Sequence, residues 1–239
     1  GGFFTRQFLL ARFSDERPLL LAVAGELARA GALVSFNGKS FDAPVLETRY
    51  LFHRLDWVGG RQPHLDVLHP ARRFWRDDDA VASCSLVALE RQVLGAERVG
   101  DVPGFEIPGR YFQFVRSGDA RPLAAVLEHN RLDLLSLAGV TARSLELVRL
   151  GPSAAGDARE ALALGRVYAR AGLAPRALAA FERAAGMSRG ALQIESLRSL
   201  ALTLRRARRF EAAAACWQRL LDAPACPRPV AREASEALA

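Results

Sequence analysis

The sequence predicts an α/β domain followed by an all-α helical repeat, and three features carry that expectation. Strand-like and helix-like patterns alternate over residues 3–55, the order that builds parallel sheets. Gly151-Pro152-Ser153 stops a long helical pattern that begins at Leu123. Beyond residue 156 the composition turns to Ala, Leu and Arg, with apolar positions that recur 36 residues apart. The expected domains are therefore 1–150 and 157–239, with Ala154-Ala155-Gly156 as the linker.

Composition narrows the class. Of 239 residues, 50% are hydrophobic, 25% charged and 8% aromatic, which excludes disordered, collagen-like and disulfide-scaffold chains. No apolar run approaches the ~20 residues that span a bilayer, because Pro18–Leu27 is interrupted by Gly25 and Glu26. Cys84, Cys216 and Cys226 have no Cys-x-x-Cys spacing, which points to neither a disulfide framework nor a thiolate zinc site and fits a reducing cytoplasm. Residues 1–150 hold 19 basic and 18 acidic side chains, whereas 151–239 hold 14 and 8. That excess positive charge points to an anionic partner at the C-terminal end. The chain opens on Gly1-Gly2 and its only methionine is Met187, so either a segment precedes Gly1 or the two glycines are an addition. The opening residues lack the basic and apolar regions of a signal peptide.

Taken in order, Phe3–Leu10 is aromatic-rich and reads as a strand. Asp15-Glu16 opens a helix with Pro18 near its start and Leu19–Ala30 as its apolar stretch, and Gly31 stops it. Ala32–Phe36 (ALVSF) reads as a buried strand closed by the turn signal Asn37-Gly38. A helix follows over 40–55, then an extended segment over 64–69 (HLDVLH) and a helix over 85–94 ended by Gly95. The Gly/Pro-rich stretch 99–122 reads as loop around one short helix at Tyr111–Val115, and Leu123–Leu150 as a long helix.

In the second domain Ala161, Leu164, Gly165, Tyr168, Ala177, Phe181 and Ala184 fall at tetratricopeptide offsets. Leu197, Leu200, Ala201, Leu204, Ala213, Trp217 and Leu220 repeat the pattern, and 229–238 reads as a cap or a further helix. Small residues at Gly165/Ala201 and Ala177/Ala213 let antiparallel helices approach while the aromatic positions fill the space between repeats. An unrelated helical hairpin is the alternative.

Two constellations carry possible chemistry. In Asn37-Gly38-Lys39-Ser40-Phe41-Asp42 a carboxylate follows a buried strand and stands near a helix start, where the dipole stabilises it, so simple capping competes with a functional role. In His129-Asn130-Arg131-Leu132-Asp133, His and Asp lie four apart on one helical face, as a surface pair or a catalytic one. His53, His64 and His69 show no metal-ligand spacing and are assigned to surface or loop positions, with His64 and His69 toward a nucleic-acid side. Asp77-Asp78-Asp79 reads as a solvated loop. Arg205, Arg206, Arg208 and Arg209 sit at an inter-helix turn, as a phosphate-binding patch or a solvated turn.

VSFNGKSFD, HLDVLHPARRFW, SCSLVALERQVLG, DVPGFEIP and EHNRLDLLSL, in that order over residues 3–145, resemble the YprB-like ribonuclease H-like family, a branch related to DnaQ-type 3′–5′ exonucleases. The resemblance implies a ribonuclease H-like α/β fold and a tetratricopeptide segment behind it. It also implies two-metal phosphodiester hydrolysis with Mg or Mn held by four carboxylates, beside a general base. Asp42 matches the second-motif aspartate, Asp133 the third-motif aspartate and His129 the base, while Asp66 matches a motif aspartate of structural character. Asn37 and Lys39 join the arginines as expected nucleic-acid contacts. The family's first motif, Asp-x-Glu, has no counterpart, because Gly2–Leu10 resembles the third strand of the fold and Asp15-Glu16 opens a helix. The domain therefore reads as incomplete at its N-terminus. A metal-dependent nuclease with a helical-repeat module for a protein partner is the leading function, and a non-catalytic nucleic-acid-binding or protein-interaction scaffold the alternative.

Overall fold

The computed structural model of the chain describes residues 2–76, 84–224 and 226–239, which form two compact units. The first takes in the chain up to Arg72 and the part that ends at Ala142; the second takes in Arg73–Arg76 and Arg143–Ala239. The Asp77-Asp78-Asp79 run lies outside the described residues.

The first unit is α/β. Helix α1 (Glu16–Arg29) leads to β1 (Leu33–Ser35), α2 (Asp42–Phe52) and β2 (His64–Asp66). The two strands pair in parallel, with Leu33 opposite His64, Val34 opposite Leu65 and Ser35 opposite Asp66. Parallel neighbours need a crossover, and α2 supplies it. Tyr50 of α2 is fully buried and donates its hydroxyl proton to the Leu20 carbonyl of α1 at 2.6 Å, which joins the two helices through a satisfied polar group. Glu16, at the start of α1, accepts from Arg49 Nε at 2.6 Å and lies 2.8 Å from His53 Nε2.

The sequence-based strand at Phe3–Leu10 is not formed. These residues carry no regular secondary structure, and Phe3, Phe4 and Phe8 are exposed. A strand exists only by sharing a ladder with a neighbour. Here Gln7 instead donates to the Leu127 carbonyl and the Asn130 side chain, and the Leu10 carbonyl accepts from the Tyr111 hydroxyl. The extended reading of 64–69 is also cut short, since α3 (Leu68–Trp75) starts directly after β2. The backbone N–H of Leu68 donates to the Asp66 carboxylate at 3.2 Å, which gives one of the open donors of this helix start an acceptor. The 85–94 helix is present as α4 (Leu86–Leu89), with Ser85 capping the Ala88 N–H. It continues into a π-turn over Glu90–Leu94 and stops at Gly95 in the left-handed conformation. Helix α5 (Ile107–Ser117) is longer than its five-residue prediction, and α6 (Leu123–Leu150) has the predicted bounds.

The second unit is all-α among the described residues. Helices α7 (Ala158–Arg170), α8 (Ala174–Met187), α9 (Gly190–Arg206) and α10 (Phe210–Leu221) pack each against the next, and α11 (Arg228–Leu238) covers α10. Short connections make consecutive helices antiparallel. All fourteen positions that the periodicity marks, from Ala161 to Leu220, are buried. Gly165 shows why a small residue stands there: a Cβ on it would lie 2.5 Å from the Phe181 ring. Gly156, the last residue of the expected linker, is tied to the first turn of α7. Buried Glu160 accepts from Trp75 Nε1 at 2.7 Å, Arg143 Nη2 at 2.9 Å and the Gly156 backbone at 2.8 Å.

Candidate active site

Helix α6 presents His129 and Asp133 one turn apart, as their spacing requires. His129 Nε2 stands 3.4 Å from Asp133 Oδ2, an ion-pair distance longer than a good hydrogen bond. The residues that hold this pair come from the segment after the π-turn. His129 Nδ1 is 2.8 Å from Asp101 Oδ1. Arg98 donates to Asp101 Oδ2 at 3.0 Å, to Asp133 Oδ1 at 2.8 Å and to Glu90 Oε2 at 2.8 Å. Its side chain is 4% exposed, against 34% for Asp133. The single hydroxyl proton of Ser136 is donated to the Glu90 carboxylate, with the Leu132 carbonyl also within reach of Oγ at 2.9 Å, which ties Glu90 back to α6.

Charge explains why so many acids cluster. Burial pushes the Arg98 guanidinium toward losing its proton, but its hydrogen bonds to Glu90, Asp133 and Asp101 outweigh that and hold the group firmly cationic. Burial likewise raises Glu90 and Asp101. The partners Arg98 and Ser136 of Glu90, and His129 and Arg98 of Asp101, bring both carboxyls below their ordinary values. Sequence reasoning missed Glu90, Arg98 and Asp101, because only folding joins them to residues 28 to 46 positions away.

Asp42 stands in the first turn of α2 with its side chain exposed, and Phe41 occupies the cap position. Among the described residues no hydrogen bond or ion pair joins Asp42 to His129 or Asp133. Its approach is shaped by Asp66, 3% exposed, whose carboxylate accepts from the backbone N–H of Asn37 at 2.8 Å and of Lys39 at 3.0 Å. Burial raises the Asp66 carboxyl, yet the N–H groups of Lys39, Asn37 and Leu68 more than offset this and leave it below the usual range. Asn37 takes a positive φ of 63°, and Gly38 packs so tightly that a Cβ would lie 2.5 Å from Ser35 Cβ. The side chains of Asn37 and Lys39 are not tied down in the same way: both residues are exposed.

The histidines depart from their predicted surface placement in two cases. His64 is part of β2, half-buried, with Nε2 2.7 Å from Ser35 Oγ. His53 is half-buried against Glu16, because α2 packs on the start of α1. His69 is exposed on α3. Arg205, Arg206, Arg208 and Arg209 are exposed at the turn between α9 and α10, and Arg208 has a positive φ of 59°. Arg206 also lines an apolar cavity of about 340 Å³ with Pro175, Leu178 and Thr203.

The carboxylates have the oxygen chemistry that Mg or Mn prefers. Their arrangement does not fit a two-ion centre. Asp133 Oδ1 is taken by the Arg98 guanidinium, and among the described residues no group of three or more His, Cys, Asp or Glu side chains converges in a way that would hold an ion.

A protein of Bacillus subtilis (strain 168), "Uncharacterized protein YprB", is 29% identical over 222 residues, covering 90% of this chain and 51% of its own length. The chain thus spans about half of that relative. No solved structure matches the chain. The α/β unit with its β1–α2–β2 crossover, the His129/Asp133 pair on α6 and a family model of the RNase_H superfamily that matches residues 2–144 agree, and the chain belongs to the RNase_H superfamily.

Proposed function

We propose that this chain is a nuclease-type, 3′–5′ exonuclease-like nucleic-acid-processing protein, with residues 1–150 as its ribonuclease H-like domain and 157–239 as a tetratricopeptide-like module for a protein partner. The observation that carries the reading is the pairing of His129 with Asp133 on one face of α6, with Asp101 behind the ring, in a member of the RNase_H superfamily. His129 is the proposed proton acceptor. Its Nε2 takes a proton from the water whose oxygen bonds to phosphorus, while the bond from phosphorus to the leaving ribose oxygen breaks. Asp42 and Asp133 are the proposed acidic members of the site, and Asn37 and Lys39 lie on the turn before Asp42 where a phosphodiester strand would pass. The superfamily likeness makes Mg or Mn the implied cofactor, and two carboxylates alone are too few for two ions, so no step is assigned to a metal. The buried arginine on Asp133 favours a second reading, a nucleic-acid-binding module without cleavage.

Fluorescence anisotropy with single-stranded DNA and RNA over a range of salt tests the shared part of both readings. Binding is expected to weaken with salt. Replacing Arg205, Arg206, Arg208 and Arg209 with glutamine is expected to reduce the slope by about 0.7–0.9 for each phosphate that is no longer neutralised. Absence of binding to either nucleic acid overturns both readings. In the same samples with Mg or Mn, little or no hydrolysis is expected from this chain. Robust cleavage that survives Asp42→Asn would move the chemistry away from Asp42.

A further inference from the structure

We propose that Asp101 is a positioning residue for His129: it decides which ring nitrogen carries the proton and where the other one points. The inference rests on the reading of His129 as proton acceptor. The geometry is specific. Asp101 Oδ1 lies 2.8 Å from His129 Nδ1 and also accepts from the Val102 backbone N–H at 2.8 Å, while Oδ2 is taken by Arg98 at 3.0 Å. An ionised carboxylate only accepts, so the ring nitrogen facing it must be the donor. The proton therefore sits on Nδ1, and Nε2 is the nitrogen turned to Asp133, at a 3.4 Å distance that does not make a full hydrogen bond.

The carboxylate is itself held in place. Val102, the next residue, is 5% exposed and pins the segment into the first unit's core. Arg98 cannot swing away without leaving Glu90 buried and without its cation. Gly100 supplies the left-handed turn, at a φ of 71°, between Arg98 and Asp101, so that both side chains reach α6 from one short segment. Locked supporting groups of this kind hold a functional side chain to the accuracy its chemistry needs. A surface ion pair would not require them.

The test reads the ring directly. The full chain is prepared with isotope-labelled histidine, and the ring nitrogen signals of His129 are assigned by their loss in His129→Gln. Wild type is expected to show a protonated Nδ1 whose proton exchanges slowly with solvent. Asp101→Ala is expected to lose that slow proton and move the ring to the Nε2-protonated form favoured by an unconstrained imidazole, and Asp101→Glu to restore the Nδ1 proton. An unprotonated Nδ1 in wild type, or an Nδ1 proton that survives unchanged in Asp101→Ala, overturns the proposal. If Asp101→Ala does not fold, the wild-type spectrum alone decides. Failure of the underlying functional reading looks different: the wild-type chain then binds neither single-stranded DNA nor single-stranded RNA, whatever the ring spectrum shows.

Discussion

Arg98 Nη2 donates to Asp133 Oδ1 at 2.8 Å from a side chain that is 4% exposed, so the aspartate of the His129 pair is held by a buried cation supplied by the chain itself. The same guanidinium neutralises Glu90, whose side chain is 8% exposed. Removing one partner of a buried pair leaves the other charge unpaired, at a cost of about 3–5 kcal/mol. Arg98→Met is expected to lower stability by that amount in urea unfolding, and Arg98→Met with Glu90→Leu to recover most of it. Equal losses in the single and double variants would show that Glu90 is not the group left stranded.

Asp66 makes a second buried dependence. Its carboxylate accepts from Asn37, Lys39 and Leu68, and so joins the turn before Asp42 to the start of α3. Asp66→Ala leaves those donors without their acceptor and is expected to cost about 2–4 kcal/mol. Asp66→Asn keeps one oxygen but turns an NH₂ group toward an N–H, for a loss of about 1–3 kcal/mol. Amide exchange at Asn37 and Lys39 should accelerate in both variants.

Gly165→Ala sets helix propensity against packing. Alanine gains about 1 kcal/mol over glycine inside a helix. The new Cβ would meet the Phe181 ring at 2.5 Å, and overpacking of this kind costs about 1–3 kcal/mol. A lower Tm is expected, with recovery in Gly165→Ala/Phe181→Leu. A rise in Tm for the single variant would mean that the ring moves aside freely.

Acid should weaken the α1–α2 contact. The Arg49 guanidinium, and then His53, hold the Glu16 carboxyl at about 2, well below its ordinary 4.5. A depressed carboxyl contributes stability above its unfolded pKa and loses it as pH falls through the folded value. The unfolding free energy should therefore decline between about pH 4.5 and 2 on account of this group. Arg49 is partly solvent-screened, so the contribution is on the order of 1–2 kcal/mol. Glu16→Gln should flatten that part of the stability profile, and an unchanged profile would exclude the pair as its source.

Local signals were readable wherever local chemistry is sufficient. Gly95 takes the left-handed conformation that ends the helical run before it, and Gly151, with a φ of 85°, stops the long helix at Leu150. Asn37 adopts the turn conformation that Asn-Gly announces. The 36-residue recurrence named the buried face of four helices, because apolar periodicity is the pattern of burial along a helix. His129 and Asp133 were paired from spacing alone, since four residues make about one helical turn.

What spacing cannot express is partnership across the chain. Phe3–Leu10 has the composition of a strand, but its backbone and side chains found Leu127 and Tyr111 in place of a ladder. Nothing local distinguishes Arg98 among the arginines, or Asp101 among the loop acids. Their roles arise when the segment after the π-turn packs on α6 and is desolvated, because a guanidinium removed from water must gather carboxylates around it. The sequence held the pair of candidate chemical groups; the nonlocal burial of one arginine determined which oxygen of Asp133 is occupied, and the contact of Nδ1 with Asp101 leaves Nε2 as the nitrogen of His129 that faces that aspartate.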